Sequence, residues 1–227
     1  HEQKNVATYH YDYSSDNALT RQYATGSDGK ITEQYSYQYD SLGRLIHSRQ
    51  STAKGALIQS TQHMYDAANR MTSQTWQFGT GLYHQQYSYT GVKADGATNG
   101  SVDGTISAIT TTVPGQSVIT STYGYNDLRQ LTSKGVTVPD QNGTQTKVYD
   151  RAYTYDDSGN IKSVMASDSA GMLYDYDGLG QLVKETPIGL TMYAVTYAYD
   201  TAGNIRSITR GGTTLKSFGY TNPSWPD

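Results

Sequence analysis

Pairs of tyrosines separated by one residue recur along the chain, and each pair is followed by a short polar segment and then by leucine or isoleucine. Residues two apart lie on the same face of a β-strand, so each pair predicts a strand with tyrosine on one face. A helix would need apolar residues about 3.6 apart, which the copies lack. The best copies of this repeat, Tyr-x-Tyr-Asp-x-x-Gly-[Arg/Asn/Gln]-[Leu/Ile], begin at Tyr37, Tyr153, Tyr174 and Tyr197.

The polar segment after each tyrosine pair predicts a tight turn. Its aspartate can accept hydrogen bonds from backbone amides two residues on, and the glycine three residues later can adopt a positive φ without a Cβ clash. A type I turn with glycine in the left-handed region matches Asp-x-x-Gly, and the leucine or isoleucine then begins the return strand. Each repeat is therefore predicted to be a β-hairpin.

Weaker copies of the repeat have substitutions in the turn. Asn69 replaces glycine in His63–Met71, and because asparagine tolerates the left-handed region the turn should persist. Arg129 replaces glycine in Tyr123–Leu131, which predicts a turn of another form. Two further copies are degenerate: Tyr9-His10-Tyr11-Asp12 opens one, and Tyr87-Ser88-Tyr89 belongs to another whose turn half is lost.

The segments between the repeats also predict strands and loops. Asn142-Gly143 lies in a turn-rich stretch between Val136-Thr137-Val138 and Thr146-Lys147-Val148-Tyr149, which indicates a further hairpin. Strands are expected from Ile106 to Ile109 and from Val118 to Tyr125, and Gly91 to Thr105 is expected to be a long loop. The predicted fold is all-β: a single domain over residues 1–227 in which tandem hairpins form a continuous antiparallel sheet.

Tyrosine dominates the large side chains, with 22 tyrosines against two phenylalanines and two tryptophans, at a mean hydropathy of −0.66. With few other large apolar residues to offset the chain entropy, most tyrosines should be buried against neighbouring strands or a covering layer. The alternative is that the tyrosine rows are exposed and bind sugars, because a phenol offers an apolar face and a hydroxyl group.

Charge and cysteine content exclude several classes of protein. The formal net charge is −3, and no block of like charges offers a basic surface, so no nucleic-acid partner is expected. The apolar runs are far shorter than the roughly 20 residues that span a bilayer, and His1 to Tyr9 lack the apolar region of an export signal, so no membrane insertion is expected. The chain has no cysteine and hence no disulfide.

No motif predicts catalysis, a cofactor site or a metal site. The chain lacks His-Glu-x-x-His, Gly-x-Ser-x-Gly, a phosphate loop and a dinucleotide fingerprint. Turn chemistry accounts for the repeat aspartates without a glycosidase role. The residues Asp12-x-Ser14-x-Asp16-Asn17 faintly resemble a calcium loop, but position six lacks glycine and position twelve is Tyr23. The histidines lack ligand spacing, and the sequons at Asn99 and Asn142 are interpreted as turns.

The tandem repeats resemble the YD repeats of the Rhs family, which includes bacterial polymorphic toxins, C components of insecticidal toxin complexes, wall-associated proteins and teneurins. The resemblance covers nearly the whole chain. It implies a curved antiparallel sheet that is part of a spiral shell, and a shell of this kind surrounds a C-terminal toxin or effector polypeptide. The absence of cysteine is more typical of the bacterial members.

This resemblance implies a non-catalytic structural segment, secreted or associated with the bacterial cell surface. Its expected partners are flanking YD repeats and the C-terminal toxin or effector polypeptide of the same parent protein; a cell-surface glycan is the alternative. Family shells usually take many hundreds of residues, so 227 would form only a part, and Tyr220–Asp227 resembles a segment that continues into another return strand. The Asp-Pro-x-Gly-type self-cleavage segment of some members has no match here, so no self-cleavage is assigned.

Overall fold

The computed structural model describes residues 7–89, 104–189 and 191–220. All regular elements in these residues are β-strands, which confirms the predicted all-β class. The strands are β1 Thr8–Tyr13, β2 Leu19–Thr25, β3 Ile31–Tyr39, β4 Leu45–Thr52, β5 Leu57–Tyr65, β6 Met71–Phe78, β7 Gly81–Tyr89, β8 Ile106–Thr112, β9 Ile119–Tyr125, β10 Leu131–Pro139, β11 Gln145–Tyr155, β12 Ile161–Met165, β13 Gly171–Tyr176, β14 Leu182–Ile188, β15 Val195–Tyr199, β16 Ile205–Arg210 and β17 Thr213–Ser217. The described part of the chain contains no helix long and apolar enough to cross a membrane.

The chain divides into two compact units, one of residues 1–121 and 137–146, the other of residues 122–136 and 147–227. In the first unit, β1 to β8 pair in sequence order, each strand antiparallel to the next. In the second unit, β11 to β17 do the same. The predicted antiparallel hairpins are thus confirmed, while the single domain stays a prediction.

Within each unit, the strand registers place the first tyrosines of its repeats on the same face of the sheet, here called the tyrosine face of that unit. In the first unit, one row across this face runs through directly opposed residues of five neighbouring strands: Tyr37, Ser48, Thr61, Trp76 and Tyr83. The second tyrosine of each repeat lies two residues on and therefore on the same face. This alternation explains why the sequence keeps tyrosine at every second position.

Very few side chains are fully buried. In the described residues, Ala24 is the buried hydrophobic residue, and Ser51, Ser73 and Ser163 are the buried polar ones. The repeat tyrosines are half-buried except in the first repeat, where Tyr11 and Tyr13 are exposed. Each unit has no second layer of regular elements among its described residues. The expectation that most tyrosines form a buried core is therefore wrong. They pack side by side within a single sheet, which leaves part of each ring in contact with solvent.

The predicted turn is present in every repeat whose turn is described, and it also occurs at other hairpins. In eleven turns the first residue donates its N–H to the carbonyl four residues on and accepts from the amide three residues on. Gly43, Gly159, Gly180 and Gly203 all have positive φ at the predicted position.

Two sequence-based expectations about these turns are wrong. Arg129 adopts a φ of 62° and forms the same turn, because the two backbone hydrogen bonds fix that conformation whatever the side chain. The first repeat is displaced by two residues: its turn begins at Ser14, with Asn17 at the positive φ, so the tyrosine pair is Tyr11 and Tyr13 rather than Tyr9 and Tyr11.

Candidate functional site

The aspartate of each repeat organises the turn that follows it. In the Asp40 turn, Oδ1 accepts hydrogen bonds from the amides of Leu42 at 2.9 Å and Arg44 at 3.0 Å, while Oδ2 accepts one from Arg44 Nε at 2.7 Å. The two amide bonds recur at other turns, namely those of Asp66, Asn126, Asp140, Asp156, Asp177 and Asp200. The aspartate thus satisfies amides that the turn itself leaves unpaired.

These contacts favour the ionised carboxylate. The hydrogen bond from the Arg70 amide lowers the pKa of Asp66, and the side-chain hydrogen bond from Asn160 lowers the pKa of Asp156. The pKa of Asp200 is lowered first by the amide of Asn204. The variable position of the repeat therefore has a defined task where it is arginine or asparagine. At Asp40, Asp66, Asp156 and Asp200, its side chain donates to the second carboxylate oxygen.

In most of the described repeats, the second tyrosine connects its strand to the neighbouring return strand. Its hydroxyl donates to the main-chain carbonyl of the first residue of that return strand, a contact here called the tyrosine latch. Seven latches occur in the described residues, with donor–acceptor distances between 2.5 and 3.0 Å. The pairs are Tyr39–Leu19, Tyr65–Leu45, Tyr89–Met71, Tyr155–Leu131, Tyr176–Ile161, Tyr199–Leu182 and Tyr220–Ile205.

Arginine extends this connection in the first unit. The guanidinium of Arg44 stacks 4.6 Å from the ring centre of Tyr65, and its Nη1 donates to the carbonyl of Asp66 and to Asn69 Oδ1, each at 3.2 Å. Arg70 stacks in the same way on Tyr89. Each of these repeats therefore contacts the next through a hydrogen bond, a cation–π contact and the sheet ladder.

The tyrosine face of the first unit is rich in uncharged hydrogen-bonding groups. Gln50 Nε2 donates to the hydroxyl of Tyr35 at 2.8 Å, and the hydroxyl of Tyr87 donates to Gln85 Oε1 at 2.9 Å. Burial raises the pKa of Tyr87, and burial followed by the charge of Glu33 raises the pKa of Tyr35. These phenols are therefore neutral at physiological pH. This face can form hydrogen bonds and stacking contacts with a polar ligand or polypeptide.

The described histidines have separate surroundings. His10 stacks on Tyr23 with ring centres 4.6 Å apart, and His84 Nδ1 lies 2.9 Å from the hydroxyl of Thr75. His63 occupies a tyrosine position on the tyrosine face; its Nδ1 is buried without a hydrogen-bond partner, and burial lowers its pKa. His1 lies outside the described residues.

The weak calcium-loop pattern corresponds to the first hairpin turn. The Ser14 hydroxyl donates a hydrogen bond to Asp16, and Oδ2 of Asp12 lies 3.9 Å from Nη1 of Arg21. In residues 7–89, 104–189 and 191–220, no three histidine, aspartate or glutamate side chains are grouped so that they could hold a metal ion. Asn142 lies in a hairpin turn, as predicted, while Asn99 and most of the expected loop from Gly91 to Thr105 lie outside the described residues.

Sequence reasoning missed the tyrosine latch. The aspartate contacts always lie two and four residues away, so a fixed pattern shows them. The latch partners lie 15 to 24 residues apart, and this separation changes from one repeat to the next. A signal was nevertheless present, because the second tyrosine is kept in all eight copies, although the copies keep no common distance to the preceding return strand.

Comparison with known proteins gives a match to a family model and likenesses to solved structures. A family model described as "Uncharacterised protein" matches residues 1–127. No curated protein gives a significant match. A crystal structure of TcdB2-TccC3 is similar with a TM-score of 0.51 at 14% identity, covering 90% of this chain and 11% of that chain.

A second TcdB2-TccC3 crystal structure, without the hypervariable C-terminal region, is similar with a TM-score of 0.50 at 14% identity, covering 89% of this chain and 11% of that one. A Tc holotoxin pore from Photorhabdus luminescens matches at 16% identity over 89% of this chain and 13% of that chain, with a TM-score of 0.36. At these identities the likeness to TcdB2-TccC3 establishes a shared fold, and this chain spans about a tenth of the matched chains.

Proposed function

Because this chain belongs to the family described as "Uncharacterised protein", we propose its function from its fold and repeat chemistry. It is a non-catalytic structural segment of an Rhs-type YD-repeat shell, which encloses a C-terminal toxin or effector polypeptide and keeps it sequestered. The activity is steric: the sheet is a wall between the enclosed polypeptide and the surrounding solvent.

The observation that carries this proposal is the repeated connection between neighbouring hairpins. Each latch satisfies a carbonyl of the preceding return strand, and each turn aspartate accepts hydrogen bonds from amides of its own hairpin. A sheet built in this way can be lengthened by adding hairpins, because every hairpin offers the next one the same carbonyl. An extended wall needs a contact that is repeated from each hairpin to the next, whereas a catalytic site needs one particular arrangement of side chains.

The likeness to TcdB2-TccC3 supports the same proposal. It covers nine-tenths of this chain but only 11% of the matched chain, which agrees with a segment of a larger shell. The partners would be flanking YD repeats and the C-terminal polypeptide of the parent protein. The location would be secreted or at the bacterial cell surface. No cofactor or metal is required for containment.

Protease protection tests the shell proposal. The full-length parent protein, with this segment and its C-terminal polypeptide, is treated with a broad-specificity protease, and survival of the C-terminal polypeptide is followed by gel and mass spectrometry. We expect it to resist digestion in the parent protein and to be cleaved rapidly when expressed alone. Equal digestion rates in both forms contradict the proposal.

A matched pair of variants makes this test specific to the wall. Tyr65→Phe removes one latch hydroxyl, whereas Tyr83→Phe removes a hydroxyl that has no hydrogen-bond partner in the described residues and belongs to a residue outside the repeats that is 37% exposed. We expect faster digestion with the first variant and no change with the second.

A second candidate function is a carbohydrate-binding or adhesion module. It is favoured by the half-exposed tyrosine face, where Tyr35 and Tyr87 lie beside glutamine side chains that can bond to sugar hydroxyls. Titration with a panel of oligosaccharides should then show binding that Tyr87→Ala abolishes without unfolding the chain. Absence of binding across the panel removes this candidate.

A further inference from the structure

The connection between β14 and β15 departs from the four-residue turns found elsewhere. Its described residues are Gly189, which has a φ of 68°, and residues 191–194. A Cβ at Gly189 would lie 3.1 Å from the Cα of Ala170, and a Cβ at Gly211 would lie 2.9 Å from Cγ of Tyr193. The Gly211 amide also donates to the carbonyl of Ala194 at 3.2 Å. The connection is thus packed against the neighbouring turns.

Residues 191–193 of this connection border a cavity of about 300 Å³ on the tyrosine face of the second unit. The floor comes from four adjacent strands, where Met172 lies opposite Pro187 and Val195 lies opposite both Glu185 and Arg210. The roof is formed by Thr191, Met192 and Tyr193. A volume of this size is at the lower end of the roughly 300–1,000 Å³ typical of small-molecule sites.

The two charged residues of the floor stand on β14 and β16, with Val195 on the strand between them. Strands lie about 4.8 Å apart, so the backbones at Glu185 and Arg210 are roughly 10 Å apart. Glu185 faces two phenols: burial and then the charge of Glu185 raise the pKa of both Tyr174 and Tyr197. A carboxylate and a guanidinium therefore stand on either side of Val195, and Met172, Pro187 and Met192 add apolar surface to the lining beside them.

We propose that this cavity binds a zwitterionic α-amino acid with an apolar side chain. The ammonium group lies at Glu185 beside the tyrosine rings, the carboxylate pairs with the Arg210 guanidinium, and the side chain packs between the methionines of floor and roof. A carboxylate next to aromatic faces suits an ammonium group, and a guanidinium offers a planar fork for a carboxylate. The cavity has room for a side chain the size of leucine or phenylalanine.

Calorimetric titration of the whole chain with L-leucine and with L-phenylalanine tests this proposal. We expect saturable binding of one molecule per chain with a Kd of about 1 mM or tighter. Glu185→Gln and Arg210→Gln should each weaken binding about tenfold or more, because each removes one charge-assisted contact. Lys184→Gln should leave binding unchanged, since Lys184 is on the same strand but on the opposite face from Glu185. Circular dichroism checks that all three variants are folded.

Blocked ligands decide between this assignment and its alternatives. N-acetyl-leucine amide keeps the side chain but lacks both charges, so it should bind about tenfold or more weakly than leucine. If it binds equally well, or if a peptide with leucine at its centre binds more tightly than leucine, the proposal is overturned. Lack of binding of both amino acids, or equal losses in all three variants, also overturns it. None of these outcomes bears on the shell proposal, whose test measures protection of another polypeptide.

Discussion

At the scale of single residues, the repeat tyrosines do two different things. The first tyrosine packs on the tyrosine face, while the hydroxyl of the second is the donor in the latch. When a half-buried carbonyl loses its hydrogen-bond donor, the cost of its partial desolvation remains. Removal of the latch hydroxyl should therefore lower stability even when the ring is kept.

Removal of a latch hydroxyl should lower the stability of the first unit. For Tyr65→Phe we expect a loss of about 1 kcal/mol in the free energy of unfolding, because the Leu45 carbonyl loses its donor. Tyr83→Phe is the matched control and should change stability by less than about 0.5 kcal/mol. Urea denaturation followed by tyrosine and tryptophan fluorescence measures both. Equal effects would show that the latch bond contributes nothing.

His63 gives the first unit a pH dependence. Burial lowers its pKa from 6.5 in the folded chain, so below about pH 6.5 the unfolded chain binds more protons than the folded one. Stability should therefore fall as the pH drops from 7 through the folded-state pKa of His63. His63→Tyr restores the repeat residue and should weaken this dependence. The other histidines are common to the natural chain and the His63→Tyr variant. If the urea midpoints of the two proteins change with pH in the same way, the assignment to His63 is refuted.

At the scale of the element, the hairpin turn is the most regular part of the molecule. Its hydrogen bonds recur at turns that lack the consensus aspartate or glycine, for example at Ala166 with Ser169 at a φ of 66°. The strands on either side hold the ends of the turn at a fixed separation, so the turn persists even when the residue at the positive φ is unfavourable. That is also why Arg129 fits the common turn.

Two glycines of one turn should respond oppositely to the same substitution. Gly180 has a φ of 76°, so Gly180→Ala should destabilise the second unit by about 1 kcal/mol through backbone strain alone, as no atom crowds the new Cβ. Gly178 has no positive φ and open space around its Cβ position, so Gly178→Ala should leave stability unchanged or raise it by about 0.4–1 kcal/mol. Thermal unfolding measures both, and loss of stability in Gly178→Ala would contradict the assigned turn.

At the scale of the whole molecule, stability comes from many similar contacts spread along the chain. The described residues contain no large, fully buried side chain, and each strand is held by its neighbours and by latches. Such an arrangement has no single core whose loss would unfold everything. A repeat protein of this kind is stabilised mainly by contacts between adjacent repeats.

The turn aspartates together predict acid sensitivity. Hydrogen bonds lower the folded-state pKa of Asp66, Asp156 and Asp200 from 3.8, so their contribution to stability is complete above about pH 4 and is lost as the pH falls through the lowered values. The urea midpoint should therefore drop steeply below pH 4. Asp156→Asn reproduces the chemistry of the natural Asn126 turn and should reduce this drop. An unchanged fall of the urea midpoint below pH 4 would contradict the role of the carboxylate.

The sequence by itself determined the strands, the antiparallel hairpins and the turn chemistry. These depend on contacts between residues at most a few positions apart, such as Asp40 with Leu42 and Arg44, and such contacts leave a constant spacing in the chain. The resemblance to YD repeats rests on that same spacing, and from it came the proposal of a shell.

Only the tertiary structure decided the latches, the half-buried state of the tyrosines and the roofed cavity between Glu185 and Arg210. Each depends on which strands become neighbours and on how much of a face another segment covers. Tyr155 and Leu131 are 24 residues apart, and Tyr176 and Ile161 are 15 apart, yet both pairs make the same bond. Strand pairing brings such residues together across connections of unequal length, so no fixed distance in the sequence records the contact.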